Sequence, residues 1–390
     1  MADSIAAVRS PIRAFVLVCL YALCGFGHEN VMAGVLPLVV LERGGDAAVV
    51  GALVAAYGIP TIVLRPLIGR ILDTPWRPHV VRLGATIVGL APLGYIVASL
   101  GSMLAVRAIQ GAGWAAYGTG GHAVLARIAP PNRRSELAGY YNAMPALAIL
   151  VGPALGLWLY TNVGDPAPFV LAASLGLAGL LLTLWLPLEP ARADPAVRAR
   201  VRPIAGMFDP AAIVPMLLIG AFMSVQSLFV IFVPVYARAV GLSLEELSLY
   251  YPVYGVLTLV SHLSLGRTSD RIGRWPTIAL GCGTALVGLT LATLGGGLGG
   301  LLVAGALYGV ATALVTATVS AMTMESVPPE RAGSAMATYS VGYQLGASIG
   351  GAAWGTVIAV AGYPWPFVGG AAMVGCCLLL AARRRRPTPA

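Results

Sequence analysis

Lysine is missing from this 390-residue chain. Without it no Gly-Lys-Ser/Thr loop can cradle the phosphates of a nucleotide, so ATP-driven work by this chain alone is excluded. Charge of either sign is scarce: arginines and acids together make up 10% of the residues, against 58% hydrophobic ones, and mean hydropathy is +0.84. Soluble domains carry roughly 25% charge. A chain this poor in it cannot present a wetted surface around a buried core, and it reads as an integral membrane protein. Metal chemistry lacks ligands. Cys19, Cys24, Cys282, Cys376 and Cys377 all lie in hydrophobic segments, without metal-ligand spacing to histidine, where cysteine behaves as a small hydrophobe. No span carries the paired acids or histidines that a membrane enzyme or sensor would need. No catalytic residue, cofactor or metal is expected.

What is present is length of apolar sequence. A spanning helix needs about 20 mostly apolar residues, and twelve such stretches can be marked: 14–38, 48–71, 79–99, 102–126, 134–160, 167–187, 211–236, 247–266, 276–295, 299–325, 332–358 and 362–382. Turn residues and charge separate them, as in Glu42-Arg43-Gly44-Gly45-Asp46, Gly164-Asp165-Pro166 and Pro328-Pro329-Glu330-Arg331. The Gly295–Gly300 run leaves the boundary between the ninth and tenth stretches least defined. The first stretch is too long, and too polar at its centre, for a cleaved signal peptide, and is expected to stay as a span.

The net charge of +9 does not point to nucleic acid, because the arginines are scattered among short loops rather than massed on one face. Their distribution sets orientation instead. With the N-terminus inside, the cytoplasmic loops and tails hold Arg9, Arg13, the Arg70–Arg82 group, Arg127, Arg133, Arg134, the four between 192 and 202, the Arg267–Arg274 group, Arg331 and Arg383–Arg386. The outer loops hold only Arg43 and Arg238. Such a bias puts both termini in the cytoplasm.

The hydrophilic segment 188–210 divides the chain into two sets of six stretches, and the sets are related. Gly69-Arg70-Ile71-Leu72-Asp73, with Arg77, aligns with Gly266-Arg267-Thr268-Ser269-Asp270, with Arg274, at an offset of 197. Pro130-Pro131-Asn132-Arg133 aligns with Pro328-Pro329-Glu330-Arg331, and Gly152 with Gly350, at 198. Matched six-span halves are the mark of duplicated transporter folds.

On these residues the chain resembles the major facilitator superfamily over essentially its whole length. Gly266-Arg267-Thr268-Ser269-Asp270-Arg271-Ile272-Gly273-Arg274 is similar to that family's loop signature between the second and third helices of a half; the first-half copy departs from it by placing Trp76 where the family has Gly. The resemblance implies that the acid pairs with nearby arginines when the cytoplasmic gate is shut, which suits a carboxylate near a helix N-terminus. Gating candidates are therefore Gly69, Arg70, Asp73, Arg77, Gly266, Asp270, Arg271, Gly273 and Arg274. Arg107-Ala108-Ile109-Gln110-Gly111 resembles the family motif whose buried arginine is implicated in proton coupling. Ala148-Ile149-Leu150-Val151-Gly152-Pro153-Ala154-Leu155-Gly156 resembles its antiporter motif, in which Gly152 and Pro153 would form a moving joint. Gly34-Val35-Leu36-Pro37 resembles a feature of drug:proton antiporters. Together these motifs favour export.

Only three charges fall inside the apolar stretches, away from their ends: Glu29, Arg65 and Arg107. A charge near the bilayer centre costs at least ~2.5–3.5 kcal/mol, so one retained there suggests function. Arg65 lies near the cytoplasmic end of its span and can snorkel outward. Glu29 and Arg107 fall at similar depths. Desolvation favours the protonated form of a carboxylate and a nearby guanidinium favours the ionised form, and that competition is what a protonation switch needs. His28 points about 100° around the helix from Glu29 and need not share its site, and His122 and His262 read as hydrogen-bonded structure. Cavity candidates, by depth and type, are Asn30, Tyr57, Trp114, Tyr117, Asn142, Gln226, Tyr254, Tyr308, Tyr339 and Gln344.

The expectation is an all-α integral membrane protein with twelve transmembrane helices in two pseudo-symmetric six-helix bundles, 1–187 and 211–390, joined by the cytoplasmic linker 188–210 and ending in a basic tail. It would be a monomer in a bacterial inner membrane, moving a small organic molecule by alternating access. Proton-coupled export of a drug or metabolite is favoured. Uptake of a metabolite by proton symport or uniport is the alternative, and no nucleic-acid partner is expected.

Overall fold

The structure, a computed structural model, describes residues 11–72, 75–128, 134–188, 209–265, 268–295, 297–327 and 332–384. Among them it is all helix and turn. The first half is built of α1 (Pro11–Ala33), α2 (Leu36–Glu42), α3 (Ala47–Leu72), α4 (Arg77–Val97), α5 (Leu100–Ile128), α6 (Arg134–Asn162) and α7 (Pro166–Leu182). The second is built of α8 (Ile213–Val230), α9 (Val233–Ala239), α10 (Leu244–Leu265), α11 (Thr268–Ile272), α12 (Arg274–Leu294), α13 (Gly297–Glu325), α14 (Ala332–Leu345), α15 (Gly351–Ala361) and α16 (Pro364–Arg384). Each of the twelve expected stretches is occupied by helix. Nine helical spans among the described residues are long and apolar enough to cross a membrane, while α7 is shorter.

The ends follow local chemistry. Asp46 accepts from the Val49 amide to cap α3, and Ser243 and Glu246 exchange bonds as a capping box at the start of α10. Gly295, in a backbone region that favours glycine (φ 79°), separates α12 from α13 and settles the boundary that composition left loose. Two expected spans are broken rather than continuous: a turn at Gly34-Val35 divides α1 from α2, and residues 231–232 divide α8 from α9. The eleventh stretch passes from α14 to α15 through a π-helical turn, Gly346–Gly350.

Large apolar side chains such as Val63, Val97, Leu294 and Val360 stand largely exposed on the helices. Water would penalise that surface, whereas lipid is its natural solvent. In lipid, helices gain little by hiding leucine from the solvent, and small residues that let backbones approach do more. Gly156 on α6 lies so close to α1 that a Cβ there would sit 2.0 Å from the Val31 carbonyl oxygen, and one on Gly152 would sit 2.7 Å from Asn30 Cβ.

The chain forms two compact units, Met1–Leu36 with Ala56–Arg200, and Pro37–Ala55 with Val201–Ala390. The change of unit between Arg200 and Val201 falls in the expected linker, most of which lies outside the described residues. The grouping of Pro37–Ala55 with the second unit departs from the expected 1–187 bundle. Within the second unit, Gly51 on α3 packs on the backbone of Ala352 and Gly355 of α15, so close approach ties this segment there.

Candidate functional site

Glu29 on α1 and Arg107 on α5, 78 positions apart in sequence, meet in the first unit: Arg107 Nη2 donates to Glu29 Oε1 at 2.8 Å. Arg107 reaches this position because α5 lies tight against α3. Gly111, one turn further along α5, would place a Cβ 2.1 Å from the Tyr57 carbonyl oxygen. The Thr61 hydroxyl binds the two helices by donating to both the Tyr57 and Gly111 carbonyls, at 2.8 and 2.9 Å. The Tyr57 ring then lies beneath the guanidinium, 4.3 Å from ring centre to Cζ, a cation–π contact. Arg107 is almost wholly buried, whereas a quarter of the Glu29 side chain is exposed. Glu29 Oε2 and the Tyr57 hydroxyl are buried, make no well-formed hydrogen bond, and lie close to each other.

Three further residues complete the arrangement, and the sequence reading missed their part in it. Gln110 Oε1 accepts from Arg107 Nη1 at 2.9 Å and from the Tyr95 hydroxyl at 2.7 Å, while Gln110 Nε2 lies 2.9 Å from His28 Nε2. His28 therefore joins the site despite pointing away from Glu29, because a side chain from another helix bridges the two directions. Gln110 was legible, standing three residues after Arg107 and so on the same helix face. Nothing in the sequence marked Tyr95.

Other expected residues fall elsewhere. Tyr117 is fully buried, stacked on Tyr21 at 4.0 Å between ring centres, and its hydroxyl donates to the Tyr21 carbonyl. Tyr308 stacks between Phe222 and Phe229 and donates to the Phe222 carbonyl at 2.7 Å. Asn30 turns back to the Phe26 carbonyl at 2.9 Å. These three are committed to packing, since their polar groups are taken up by backbone. Trp114 packs between Phe26 and Tyr117. Gln344 and Tyr339 are partly buried on α14, and the Asn142 side chain lies outside the described residues. His122 and His262 each bond the carbonyl four residues earlier, Gly118 and Thr258, at 2.9 Å.

The second unit repeats the scaffold without its charge. The offset of 197 that relates the loops also takes Glu29 to Gln226, Tyr57 to Tyr254, Thr61 to Thr258 and Arg65 to His262; the offset of 198 takes Arg107 to Gly305 and Gly111 to Gly309. Thr258 donates to the Tyr254 carbonyl at 2.7 Å, and Gly309 lies against that same carbonyl. Gln226 Nε2 donates to the Tyr254 hydroxyl at 3.2 Å. Where Arg107 would stand, Gly305 leaves its space to the ring of Tyr250.

On the loop between the second and third spans of this unit, Arg274 donates to both Glu325 carboxylate oxygens, to Asp270 and to the Ser269 hydroxyl. Glu325, at the end of α13, is held below the usual carboxylate range by its hydrogen bonds from Arg274. Gly273 (φ 92°) makes the turn into α12, and Arg271 is exposed. In the first unit Arg77 donates through Nε to the Leu72 carbonyl. Asp73 and Gly266 lie outside the described residues, as does the side chain of Arg70.

The described residues are helix and turn, with a large exposed apolar surface, an internal duplication and an ion pair inside the spans, features that fit a membrane transporter. The chain belongs to the Major Facilitator Superfamily, whose model matches residues 17–300 and 282–390. The chain is 31% identical over 160 residues to a vesicular acetylcholine transporter of Drosophila melanogaster, covering 40% of this chain and 28% of that one. It is 23% identical over 172 residues to the quinolone resistance protein NorA of Staphylococcus aureus (43% and 44% covered) and 24% identical over 248 residues to multidrug resistance protein 1 of Bacillus subtilis (62% of each). The alignments thus span less than two thirds of these relatives. Among solved structures it is similar to a D-xylose-proton symporter (TM-score 0.75, 19% identity, covering 97% of this chain and 98% of that one) and to the nucleoside transporter NupG (TM-score 0.75, 13% identity, covering 96% and 100%). At such identity these describe the fold, which is the major facilitator fold.

Proposed function

We propose that this chain exports a small organic molecule in exchange for protons by alternating access, with Glu29 as the proton-binding carboxylate and Arg107 as its fixed countercharge. The observation that carries the reading is the state of Glu29. One oxygen is held by Arg107, the other is uncommitted beside the Tyr57 hydroxyl, and a quarter of the side chain is exposed. Such a carboxylate can hold a proton or face the polar end of a substrate, and mutual exclusion of the two is what antiport requires. The drug-resistance names of two relatives support export, as does the antiporter-like run in α6.

Tyr57, Trp114, Gln226, Tyr254 and Gln344 are the substrate-binding candidates. Arg274, with Asp270, Arg271 and Gly273, forms the cytoplasmic clamp of the second half; Gly69, Arg70 and Arg77 belong to its counterpart in the first, and Gly152 with Pro153 forms the joint. The protein works as a monomer in a bacterial inner membrane with both termini in the cytoplasm.

The test is transport by the purified chain in proteoliposomes under an imposed pH gradient, with ethidium and a fluorescent quinolone as probes. Antiport drives a probe into vesicles whose interior is acidic, symport drives it in when the exterior is acidic, and uniport ignores the gradient. Glu29→Gln is expected to abolish gradient-driven accumulation while leaving probe-for-probe exchange. If the variant accumulates probe as the wild type does, the coupling assignment fails.

A further inference from the structure

Hydrogen-bond chemistry fixes every donor and acceptor in the chain that leads from Glu29 to His28. Arginine has donors only. The Gln110 atom facing Arg107 must therefore be its oxygen, which accepts from the Tyr95 hydroxyl as well. The amide nitrogen is then left facing His28, and it can only donate. His28 Nε2, 2.9 Å away, must supply a lone pair, so the imidazole carries its proton on Nδ1. That atom faces the Ala172 carbonyl of α7, without a well-formed hydrogen bond. The arrangement has one direction. Were His28 to lose its lone pair, two N–H groups would confront each other. Turning the Gln110 amide over would relieve that clash only by presenting N–H groups to Arg107.

We propose that His28 is a positioning residue for the proton-coupling pair: as an acceptor it locks the Gln110 amide in the orientation that anchors Arg107, and so aims the guanidinium at Glu29. Arg107 has two polar anchors in the structure, Gln110 on Nη1 and Glu29 on Nη2. A guanidinium held by both is fixed in its turn over the Tyr57 ring, whereas one that has lost the first keeps only Glu29 and that ring and is less closely aimed at the carboxylate. The charged groups near enough to act on His28 are Glu29, beside it on α1 though on another face, and Arg107 on α5. Tyr95 acts on it only through Gln110. Helix α7 has no ionisable side chain, and α6 brings Gly152 and Gly156 to the neighbouring stretch of α1.

The proposal rests on Glu29 being the coupling carboxylate, and its test does not need the substrate. Infrared titration of the purified full chain in nanodiscs would follow the carbonyl stretch of the protonated carboxyl group that Glu29→Gln removes. In His28→Phe, which keeps ring volume but has no acceptor, the midpoint of that band should move upward by about 0.5–1 pH unit, the size of one weakened hydrogen bond to a charged group. His28→Gln restores an acceptor near the Nε2 position and should return the midpoint to its wild-type value, a rescue that a role in packing alone would not produce. Should His28→Phe fail to fold, Gln110→Met removes the same anchor and should give the same upward shift. An unmoved midpoint in either acceptor-free variant overturns the role of His28 and leaves Glu29 coupling standing. A Glu29→Gln variant that removes no pH-dependent band overturns both.

Discussion

In the first half of the chain, Thr61 ties α3 to α5 through the Tyr57 and Gly111 carbonyls, and on that joint Arg107 stands between the Tyr57 ring and Glu29. In the second half Thr258 bonds the Tyr254 carbonyl, Gly309 packs on it, and Gln226 meets the Tyr254 hydroxyl, with no charge present. One sequence therefore contains the same joint with and without an ion pair. The neutral copy forms its helices and its close approach, so the fold does not require the charges. Buried ion pairs stabilise little beyond their own desolvation cost. Their presence in one half alone is best explained by what a carboxylate and a guanidinium can do there that an amide and a glycine cannot.

The largest expected effect comes from breaking the pair from one side. Arg107→Met leaves the Glu29 carboxyl without its guanidinium partner, and should destabilise the protein by roughly 2–4 kcal/mol, somewhat below the range for a fully buried pair because Glu29 is partly exposed. Adding Glu29→Gln gives the first half the neutral character of the second and should recover most of that loss. Thermal unfolding of the single and double variants in detergent measures the difference. If the double variant is no more stable than Arg107→Met, the second half is a poor guide to what the first needs.

The reverse exchange is next in size. Gln226→Glu puts a carboxylate beside Tyr254 where Gly305 supplies no guanidinium and the Tyr250 ring fills the space. Leaving a charge there without a partner should cost about 1–3 kcal/mol at neutral pH. Glu29→Gln, with Arg107 still held by Gln110 and Tyr57, should cost less than this. Equal costs for the two exchanges would mean that the halves do not differ in how they receive charge.

Much of the fold was legible because membrane helices announce themselves by length and composition, and because the arginines cluster in alternate loops. The breaks inside spans were less so. The turn at Gly34-Val35 had a signal that went unread, since Pro37 has no N–H for the Ala33 carbonyl, whereas nothing of that kind marks the π-turn at Gly346–Gly350. In the site, Glu29 and Arg107 stood out as charges in an apolar background. The same contrast is weaker for a histidine, a glutamine and a tyrosine, which become visible only through partners on other helices. His28 points away from Glu29 on α1, a correct statement about one helix that ignores Gln110 on another. Tyr117, Tyr308 and Asn30 show the opposite case, since a polar group at the right depth is as readily taken by a backbone carbonyl as by a ligand. The repeat was the most underused signal. Continuing its offset of 197 from the loops into the helices pairs Glu29 with Gln226 in the sequence itself.

The smallest expected effect separates the ends of the halves that carry Arg77 and Arg274. Glu325 is held below the usual carboxylate range by Arg274, and the position that corresponds to it in the first half, at an offset of 198, is Arg127. A carboxyl whose folded value is depressed adds stability above its unfolded value, near 4.3, and that contribution is lost as pH falls through the folded value. Arg274 itself is raised, chiefly by Glu325, so its share disappears only at strongly alkaline pH. Because more than half of the Glu325 side chain is exposed, solvent screening limits the clamp to a few tenths of a kcal/mol and at most about 1 kcal/mol. Between pH 7 and pH 3 the wild type should therefore lose a small increment of thermal stability that Glu325→Gln does not lose, and the two should converge at the acid end. If their difference is the same at both pH values, the carboxylate of Glu325 contributes nothing as a charge, and the Arg274 hydrogen bond to the Ser269 hydroxyl is what remains of the clamp.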